Sequence, residues 1–175
     1  MNFIDREAPA FETEALKGSG FKKIKLGDFK GKWLVLFFYP ADFTFVCPTE
    51  LEGFAKDYGK FLKKNCEVIA VSTDTVYTHK AWIEADKRLK GINYYMASDR
   101  NGAIARAYDV YEDRTGNALR GLFVIDPDGI VKYVVITHDN VGRSTEETYR
   151  VVTALQTGGL CPVNWKEGDE TLKKK

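Results

Sequence analysis

Runs of apolar and polar residues predict the first elements of the chain. The stretch WLVLFFY (33–39) is apolar without interruption and ends at Pro40, which is typical of a β-strand buried on both faces. In the segment that follows, apolar residues stand at Leu51, Phe54, Ala55, Tyr58, Phe61 and Leu62. These positions recur three and four residues apart, so they predict an amphipathic α-helix over 51–62 with one buried face.

The same two patterns continue toward the C-terminus. Strands are predicted over 66–73, 122–125 and 131–137, and helices over 77–89, after Asn101-Gly102 and over 145–157. The turn DPDG (126–129) joins the last two strands into a hairpin. The capping box Ser144-Thr-Glu-Glu147 begins the last helix, and Gly158-Gly159 ends it. Residues 1–32 are mixed, and 89–99 are interpreted as a loop.

The order of these elements predicts an α/β fold with a mixed central β-sheet flanked by helices on both faces. A helix joins the first two strands, so they should be parallel, whereas the hairpin is antiparallel. This arrangement is thioredoxin-like. We expect a single domain over 1–175, with a C-terminal tail at 158–175 that has little means of packing on that domain.

Composition narrows the functional classes. The 175 residues carry a net charge of +1, which gives no electrostatic case for nucleic acid or an anionic membrane. The terminal run Lys173-Lys174-Lys175 is predicted to be a solvated tail. No apolar run approaches the ~18 residues of a membrane span, and the N-terminus lacks the apolar core of a secretory signal. We therefore expect a soluble, cytoplasmic protein.

The cysteines are the chief candidates for chemistry. Cys47, Cys66 and Cys161 lie far apart and form no CxxC pair, and two histidines are too few for a convincing zinc site. In a reducing compartment free thiols are the default, so a cysteine that matters there is catalytic or redox-active. Cys66 leads directly into the core strand VIAV and is interpreted as structural.

Cys47 stands where a strand, a loop and a helix meet. The strand ends near Tyr39, and Pro48 suits the first position of a helix because its missing N–H would have no partner there. Cys47 is thereby placed at the helix N-terminus, where unpaired amides and the macrodipole favour an anion. A thiolate at this position would be a nucleophile.

At this point the chain resembles a known family, the typical 2-Cys peroxiredoxins of the alkyl hydroperoxide reductase C type. The segment FYPADFTFVCPTEL (38–51) contains the family pattern Pro-x-x-x-Thr-x-x-Cys as Pro40, Thr44 and Cys47. The resemblance continues in VSTDTVYTHKAW (71–82), RGLFVIDPDG (120–129), VGRSTEE (141–147) and CPVNWKEGDETL (161–172). It therefore extends over nearly the whole chain.

The resemblance implies roles for the residues around the helix start. Cys47 would be the peroxidatic cysteine, which attacks a peroxide oxygen and becomes a sulfenic acid. Thr44 would offer its hydroxyl to the thiolate and the peroxide, and Pro40 would shield the sulfenic acid from water. Arg120 would stabilise the thiolate and the charge that develops on the leaving oxygen.

The resemblance also implies a supporting shell and a second thiol. Glu50 and Arg143 match family positions that orient Arg120. Cys161 would be the resolving cysteine and would form a disulfide with Cys47 of the partner subunit in a homodimer, which in such families commonly assembles into a decamer of five dimers. A dithiol protein, either thioredoxin or a dedicated flavoprotein disulfide reductase, would restore the thiols, and no cofactor or metal would be needed.

One departure from part of the family bears on turnover. Members that are sensitive to over-oxidation carry a Gly-Gly-Leu-Gly insertion and a C-terminal Tyr-Phe helix. Here the corresponding loop, 89–99, has no insertion, and the sequence given shows no Tyr-Phe after ETLKKK. Disulfide formation by the resolving cysteine is therefore expected to be faster than over-oxidation of Cys47.

Two other functions were open on sequence grounds. A thioredoxin-like disulfide reductase would require CxxC at the helix start, where the chain has Cys47-Pro-Thr-Glu50. A holdase chaperone that uses exposed apolar surface is neither supported nor excluded. His79 and His138 are expected to be structural or surface residues without a chemical role.

Overall fold

The computed structural model describes residues 2–173. Met1 lies outside it, as do Lys174 and Lys175 of the predicted solvated run. The strands are β1 Glu12–Lys17, β2 Gly20–Lys25, β3 Trp33–Phe38, β4 Cys66–Ser72, β5 Tyr95–Ser98, β6 Tyr111–Glu112, β7 Asn117–Ala118, β8 Arg120–Ile125 and β9 Val131–Thr137. The helices are α1 Cys47–Lys63, α2 Val76–Ala85, α3 Ala103–Ala107 and α4 Thr145–Gln156. Within these described residues, no helix combines the length and the apolar character needed to cross a membrane.

Seven strands form one mixed sheet in the order β2-β1-β5-β4-β3-β8-β9. β3 and β4 are parallel, with Trp33 opposite Cys66, as expected for strands joined by a helix. β3 and β8 are antiparallel, with Leu34 opposite Ile125, and β8 and β9 form the predicted hairpin. The predicted mixed sheet is confirmed, and β3 lies near its centre.

The alternation of side chains along β3 explains why WLVLFFY is apolar throughout. Leu34, Leu36 and Phe38 enter a core on one face of the sheet, together with α3 and the N-terminal segment. The alternate residues of β3 enter a core on the other face, which includes residues of α1, α2 and α4. On that second face Phe37 stacks on Phe54 of α1 with ring centroids 4.4 Å apart. Helices thus cover both faces, as predicted.

Several elements differ from the sequence-based expectation. The hairpin β1–β2 lies within the segment considered mixed, and β5 lies within the segment interpreted as a loop. β2 is mostly exposed and polar, and β5 has only four residues, so neither carries a usable apolar period. The helix expected over 77–89 ends at Ala85, because Asp86 takes an extended conformation and caps a following 3-10 turn.

The expectation that the tail packs poorly is wrong. Trp165 is only 4% exposed, and Arg150 Nη1 of α4 donates to its carbonyl oxygen at 3.2 Å. Tyr149 of α4 donates its hydroxyl to Glu167 at 3.0 Å. One buried tryptophan and a few polar bonds hold the tail, and this kind of packing leaves no periodic pattern in the sequence.

A buried hydroxyl–carboxylate pair gives a test of the core. Glu67 is 6% exposed, and it accepts from the Tyr58 hydroxyl at 2.6 Å and from Lys17 Nζ at 3.2 Å. Tyr58→Phe keeps the ring but leaves one carboxylate oxygen with fewer donors. We expect the free energy of unfolding, measured by chemical denaturation, to fall by about 1–2 kcal/mol.

The matched control is Tyr149→Phe, since the Tyr149 hydroxyl bonds the exposed Glu167 carboxylate. Water can replace that bond, so the unfolding free energy should change by no more than about 0.5 kcal/mol. Equal losses in the two variants would contradict the importance assigned to burial of Glu67.

Candidate active site

Cys47 is the first residue of α1, which confirms its predicted place at the helix N-terminus, although Pro48 is the second residue of the helix and not the first. Pro48 follows it, and Val46 precedes it as a cap that supplies no side-chain acceptor. The helix is held at this end by the bond from the Thr49 amide to the Val46 carbonyl oxygen, 3.0 Å long. The Cys47 side chain is fully buried at 0% exposure, so in this conformation its thiol is enclosed by protein.

Arg120 reaches this thiol from the neighbouring strand. Arg120 begins β8, which lies beside β3 in the sheet, and its Nη1 donates to Cys47 Sγ at 3.3 Å. Its Nε donates to the Asp139 carbonyl oxygen at 2.8 Å, which fixes the plane of the guanidinium. Burial lowers the pKa of Arg120, but the hydrogen bonds and charges of Cys47 and Glu50 outweigh burial and the pKa is raised. Arg120 therefore remains a cation beside the sulfur.

Glu50 connects Arg120 to a second buried arginine. Its Oε2 accepts from Arg120 Nη1 at 2.7 Å and from Arg143 Nη2 at 2.9 Å. Its Oε1 accepts from Arg143 Nε at 2.7 Å and from the Arg143 amide at 2.8 Å. Arg143 also donates from Nη1 to the Gly121 carbonyl oxygen at 2.6 Å. Four donors thus satisfy one carboxylate, and both guanidinium groups are held in place.

The charges of this cluster do not balance without the sulfur. Two guanidinium groups and one carboxylate leave a single positive charge in a region where the side chains of Glu50, Arg120 and Arg143 are at most 4% exposed. An uncompensated buried charge is costly. A thiolate at Cys47 would supply the missing negative charge, so the arrangement favours a nucleophilic sulfur.

Thr44 and Pro40 lie in the loop between β3 and α1. The Thr44 hydroxyl donates to the Ala41 carbonyl oxygen at 2.9 Å. A hydroxyl has one proton, so in this structure that proton is used within the loop and not on the Cys47 sulfur. Pro40 lies two residues after the end of β3 and is half-buried.

A second buried polar network lies under the same loop, and no pattern in the sequence indicates it. Asp42 accepts from the Tyr39 hydroxyl at 2.7 Å and bonds His79 Nδ1 at 2.7 Å. The other ring nitrogen of His79 faces the Ala97 carbonyl oxygen at 3.3 Å. Burial raises the pKa of Asp42, and the hydrogen bond and charge of His79 partly offset that effect. The network ties the loop to α2 and β5, and His79, expected to be structural, is completely buried there.

Cys161 lies far from Cys47 of its own chain. Its sulfur is 3.4 Å from Thr157 Oγ1 and 3.6 Å from the Ala154 carbonyl oxygen, at the C-terminal end of α4. Arg143 stands just before the other end of that 12-residue helix, which is about 18 Å long at 1.5 Å per residue. A disulfide needs Cα atoms within about 7 Å, so this conformation does not allow the two thiols of one chain to pair.

The remaining cysteine and histidine behave as expected. Cys66 is 1% exposed, and burial raises the pKa of its thiol, so it is a poor nucleophile. His138 is exposed and accepts from the Asn140 amide at 3.2 Å. Among residues 2–173, no three His, Cys, Asp or Glu side chains lie together in a group that could hold a metal ion.

Known proteins resemble this chain over nearly its full length. The sequence profile of the AhpC/TSA family matches residues 4–134. A Clostridium pasteurianum protein that bears a peroxiredoxin name, from a rubredoxin operon, is 50% identical over 174 residues, which cover 97% of this chain and 98% of the relative. The reduced 2-Cys peroxiredoxin of Plasmodium vivax aligns with a TM-score of 0.94 at 35% identity, over 99% of this chain and 94% of that one. AhpC of Enterococcus faecalis aligns with a TM-score of 0.89 at 38% identity, over 99% and 100% of the two chains.

These likenesses agree with the geometry around the helix start. The aligned structures share the thioredoxin-like fold, and the family profile spans the loop, Cys47 and Arg120. A buried thiol with a fixed arginine donor fits thiol-based peroxide chemistry. The chain belongs to the AhpC/TSA family and is a peroxiredoxin of the AhpC type, a thiol-dependent antioxidant peroxidase.

Proposed function

We propose that the chain reduces hydrogen peroxide and organic hydroperoxides at Cys47 and completes the cycle with Cys161 of a partner subunit. The observation that carries this proposal is the bond from Arg120 Nη1 to Cys47 Sγ at 3.3 Å. The thiolate attacks one peroxide oxygen, the O–O bond breaks, and the second oxygen leaves as water or an alcohol after taking a proton. Cys47 is left as a sulfenic acid.

Arg120 is the residue best placed to assist this step. A planar guanidinium offers several donors in a fixed fork and stays charged at any working pH. One donor faces the sulfur, and the negative charge that develops on the leaving oxygen would arise beside the same cation. Glu50 and Arg143 act through Arg120, because they fix its orientation before a peroxide arrives.

Thr44 and Pro40 complete the proposed site. The Thr44 hydroxyl would turn from the Ala41 carbonyl oxygen toward the peroxide and the thiolate when substrate enters, since a hydroxyl rotor adapts at little cost. Pro40, half-buried after β3, would limit the access of water to the sulfenic acid.

Resolution between subunits follows from the separation of the two thiols. Cys161 lines a groove beside Lys132 and Tyr133 of β9, and β9 is an edge of the sheet. An open edge strand can pair with another chain. The opposite edge, β2, carries Lys22, Lys23 and Lys25, which discourage such pairing. We infer a homodimer joined along β9, with Cys161 of one subunit serving Cys47 of the other.

Two further steps complete the cycle. Cys47 is enclosed in the first turn of α1, so this turn must unwind before the sulfenic acid can meet a thiol. The disulfide would then be reduced by a dithiol protein, either thioredoxin or a dedicated flavoprotein disulfide reductase, and the chain itself would hold no cofactor. We place this cycle in the cytoplasm and treat residues 1–175 as one domain with the tail 158–175 carrying the resolving thiol.

Exposed aromatic residues support a higher assembly. Phe43, Phe45 and Tyr77 are 58%, 91% and 69% exposed on the loop and helix next to the site. Apolar residues of this size are disfavoured in water and are enriched at interfaces. They support a second contact between dimers, and hence a decamer of five dimers.

The proposed cycle predicts which variants can form the disulfide. After treatment with peroxide, wild type and Cys66→Ser should run as covalent dimers on non-reducing denaturing gels. Cys47→Ser and Cys161→Ser should run as monomers, because each lacks one sulfur of the intersubunit bond. Cys66→Ser is the matched control, since it removes a thiol that is buried in the core.

Two results would contradict this assignment. Dimers of Cys161→Ser would remove Cys161 from the cycle. A wild type that consumes peroxide yet stays monomeric would indicate a one-cysteine mechanism.

The carboxylate of Glu50, between the two arginines, gives another test of the proposed site. Glu50→Gln keeps the size of the side chain but removes the charge that holds Arg120 and Arg143 together. The second-order rate constant for peroxide, measured by rapid mixing under single-turnover conditions, should fall by at least about tenfold, because a preorganised donor loses its support.

Glu52→Gln is the control on the same helix. Glu52 pairs with Lys56 at the surface, and its side chain is 31% exposed. Its substitution should leave the rate constant within about twofold, as expected for an isolated surface pair. A wild-type rate constant for Glu50→Gln would show that Arg120 keeps its position without Glu50.

A further inference from the structure

Arg150 of α4 forms a fixed bridge between its own helix and the tail. Its Nε donates to Glu147 Oε2 at 2.6 Å, and its Nη2 donates to Glu147 Oε1 at 2.8 Å. This two-bond pairing uses one side of the guanidinium fork and sets its plane. The remaining donor, Nη1, reaches the Trp165 carbonyl oxygen at 3.2 Å.

Trp165 organises the segment that follows Cys161. Its ring is 4% exposed, its amide donates to the Pro162 carbonyl oxygen at 3.2 Å, and its Nε1 donates to the Asp169 carbonyl oxygen at 3.0 Å. The chain from Pro162 to Asp169 is thus a compact unit that begins directly after Cys161. The bond from Arg150 to the Trp165 carbonyl oxygen therefore joins this unit to α4.

The sulfur of Cys161 has no comparably firm contacts of its own. Its bonds to Thr157 and Ala154 are 3.4 and 3.6 Å long, and the residue is partly exposed. Cys161 lines a groove between α4 and β9. Four other charged or titratable groups line it, Glu147 and Arg150 from α4 and Lys132 and Tyr133 from β9.

The hydrogen bond to Glu147 is the largest cause that raises the pKa of Arg150, and burial opposes it, so Arg150 remains a cation in the groove that Cys161 lines. Lys132 pairs with Asp5 and Asp126, which leaves Arg150 as the cation anchored between α4 and the tail.

We propose that Arg150 is a positioning residue for the resolving thiol, in that it holds the segment that begins at Cys161 against α4. This inference rests on the proposed role of Cys161. In the step it serves, the Cys161 thiolate attacks the sulfur of the partner's sulfenic acid, the S–S bond forms and the S–O bond breaks. The departing hydroxide takes the proton that Cys161 lost, and the net product is one water.

In this step the two thiols behave differently. The segment of Cys47 moves, because the first turn of α1 must open. Cys161 stays in place, held by Arg150, so that the moving sulfur meets a nucleophile at a fixed position. Such preorganisation raises the rate of an otherwise unfavourable encounter.

The experiment separates the two chemical steps. Reduced protein is mixed rapidly with hydrogen peroxide, and tryptophan fluorescence follows a first phase that depends on peroxide and a second, first-order phase of disulfide formation. In Arg150→Gln the first phase should be unchanged and the second should slow by about tenfold or more, as expected for a misplaced reacting group. Over-oxidation of Cys47, measured by mass spectrometry at fixed peroxide, should rise in proportion.

Arg150→Lys and Lys64→Gln are the matched variants. Lysine keeps a cationic donor but not the fork, so Arg150→Lys should recover part of the resolution rate that Arg150→Gln loses. Lys64→Gln removes the tail contact between Lys64 and Glu167 without touching Arg150, and it should resolve at close to the wild-type rate.

Two results would overturn the proposal. One is a wild-type resolution rate in Arg150→Gln. The other is equal slowing in Arg150→Gln and Lys64→Gln with no recovery in Arg150→Lys, which would mean that any loosening of the tail suffices. If Arg150→Gln folds poorly, Glu147→Gln frees the same fork, and an unchanged resolution rate there would also overturn it. Failure of the proposed cycle itself is distinguishable, because Cys161→Ser would then still form covalent dimers.

Discussion

The buried carboxylate of Glu50 is the group on which the geometry of the candidate site depends. It holds Arg120 from β8 and Arg143 from the segment before α4, and it is itself part of α1. Placing one buried charge in a protein costs several kcal/mol unless its hydrogen bonds are satisfied. The fold meets this requirement by bringing three elements, distant in sequence, to one point. The same contact therefore fixes the packing of α1 against the sheet and the direction of the donor that faces Cys47.

In the proposed cycle, the start of α1 holds Cys47 and then releases it. Val46 provides no side-chain cap and Pro48 provides no amide, so the first turn is held by the amides of Thr49 and Glu50 and the Thr49 hydroxyl, which all donate to the Val46 carbonyl oxygen. The contact of Arg120 with the sulfur adds to them while the sulfur is a thiolate. Oxidation of Cys47 to a sulfenic acid would remove that charge and weaken the contact. Local opening would thereby be coupled to the proposed chemistry, since regions with few bonds open at low cost.

The sequence predicted those parts of the structure that follow local rules. β3 and β4 are largely apolar runs, and α1 carries a helical apolar period. Ser144 caps α4 as the capping box indicated. The exposed β2, the short β5 and the tail around Trp165 depend on tertiary contacts and leave no such pattern. Within the site, the place of Cys47 at a helix N-terminus could be predicted from the strand before it, the helix after it and Pro48. Glu50, Arg120 and Arg143 came from the family resemblance, because nothing local shows that they meet.

The network of Tyr39, Asp42 and His79 shows the same limit of sequence reasoning, since Asp42 and His79 are 37 residues apart. α4 separates the two candidate thiols. Arg143, just before its start, contacts Glu50 of the candidate site, and its last turn carries the contacts of Cys161. A helix of 12 residues spans about 18 Å, so in this conformation it keeps the two thiols of one chain apart. Because opening of the first turn of α1 does not by itself close such a gap, the proposed cycle takes its second thiol from another subunit.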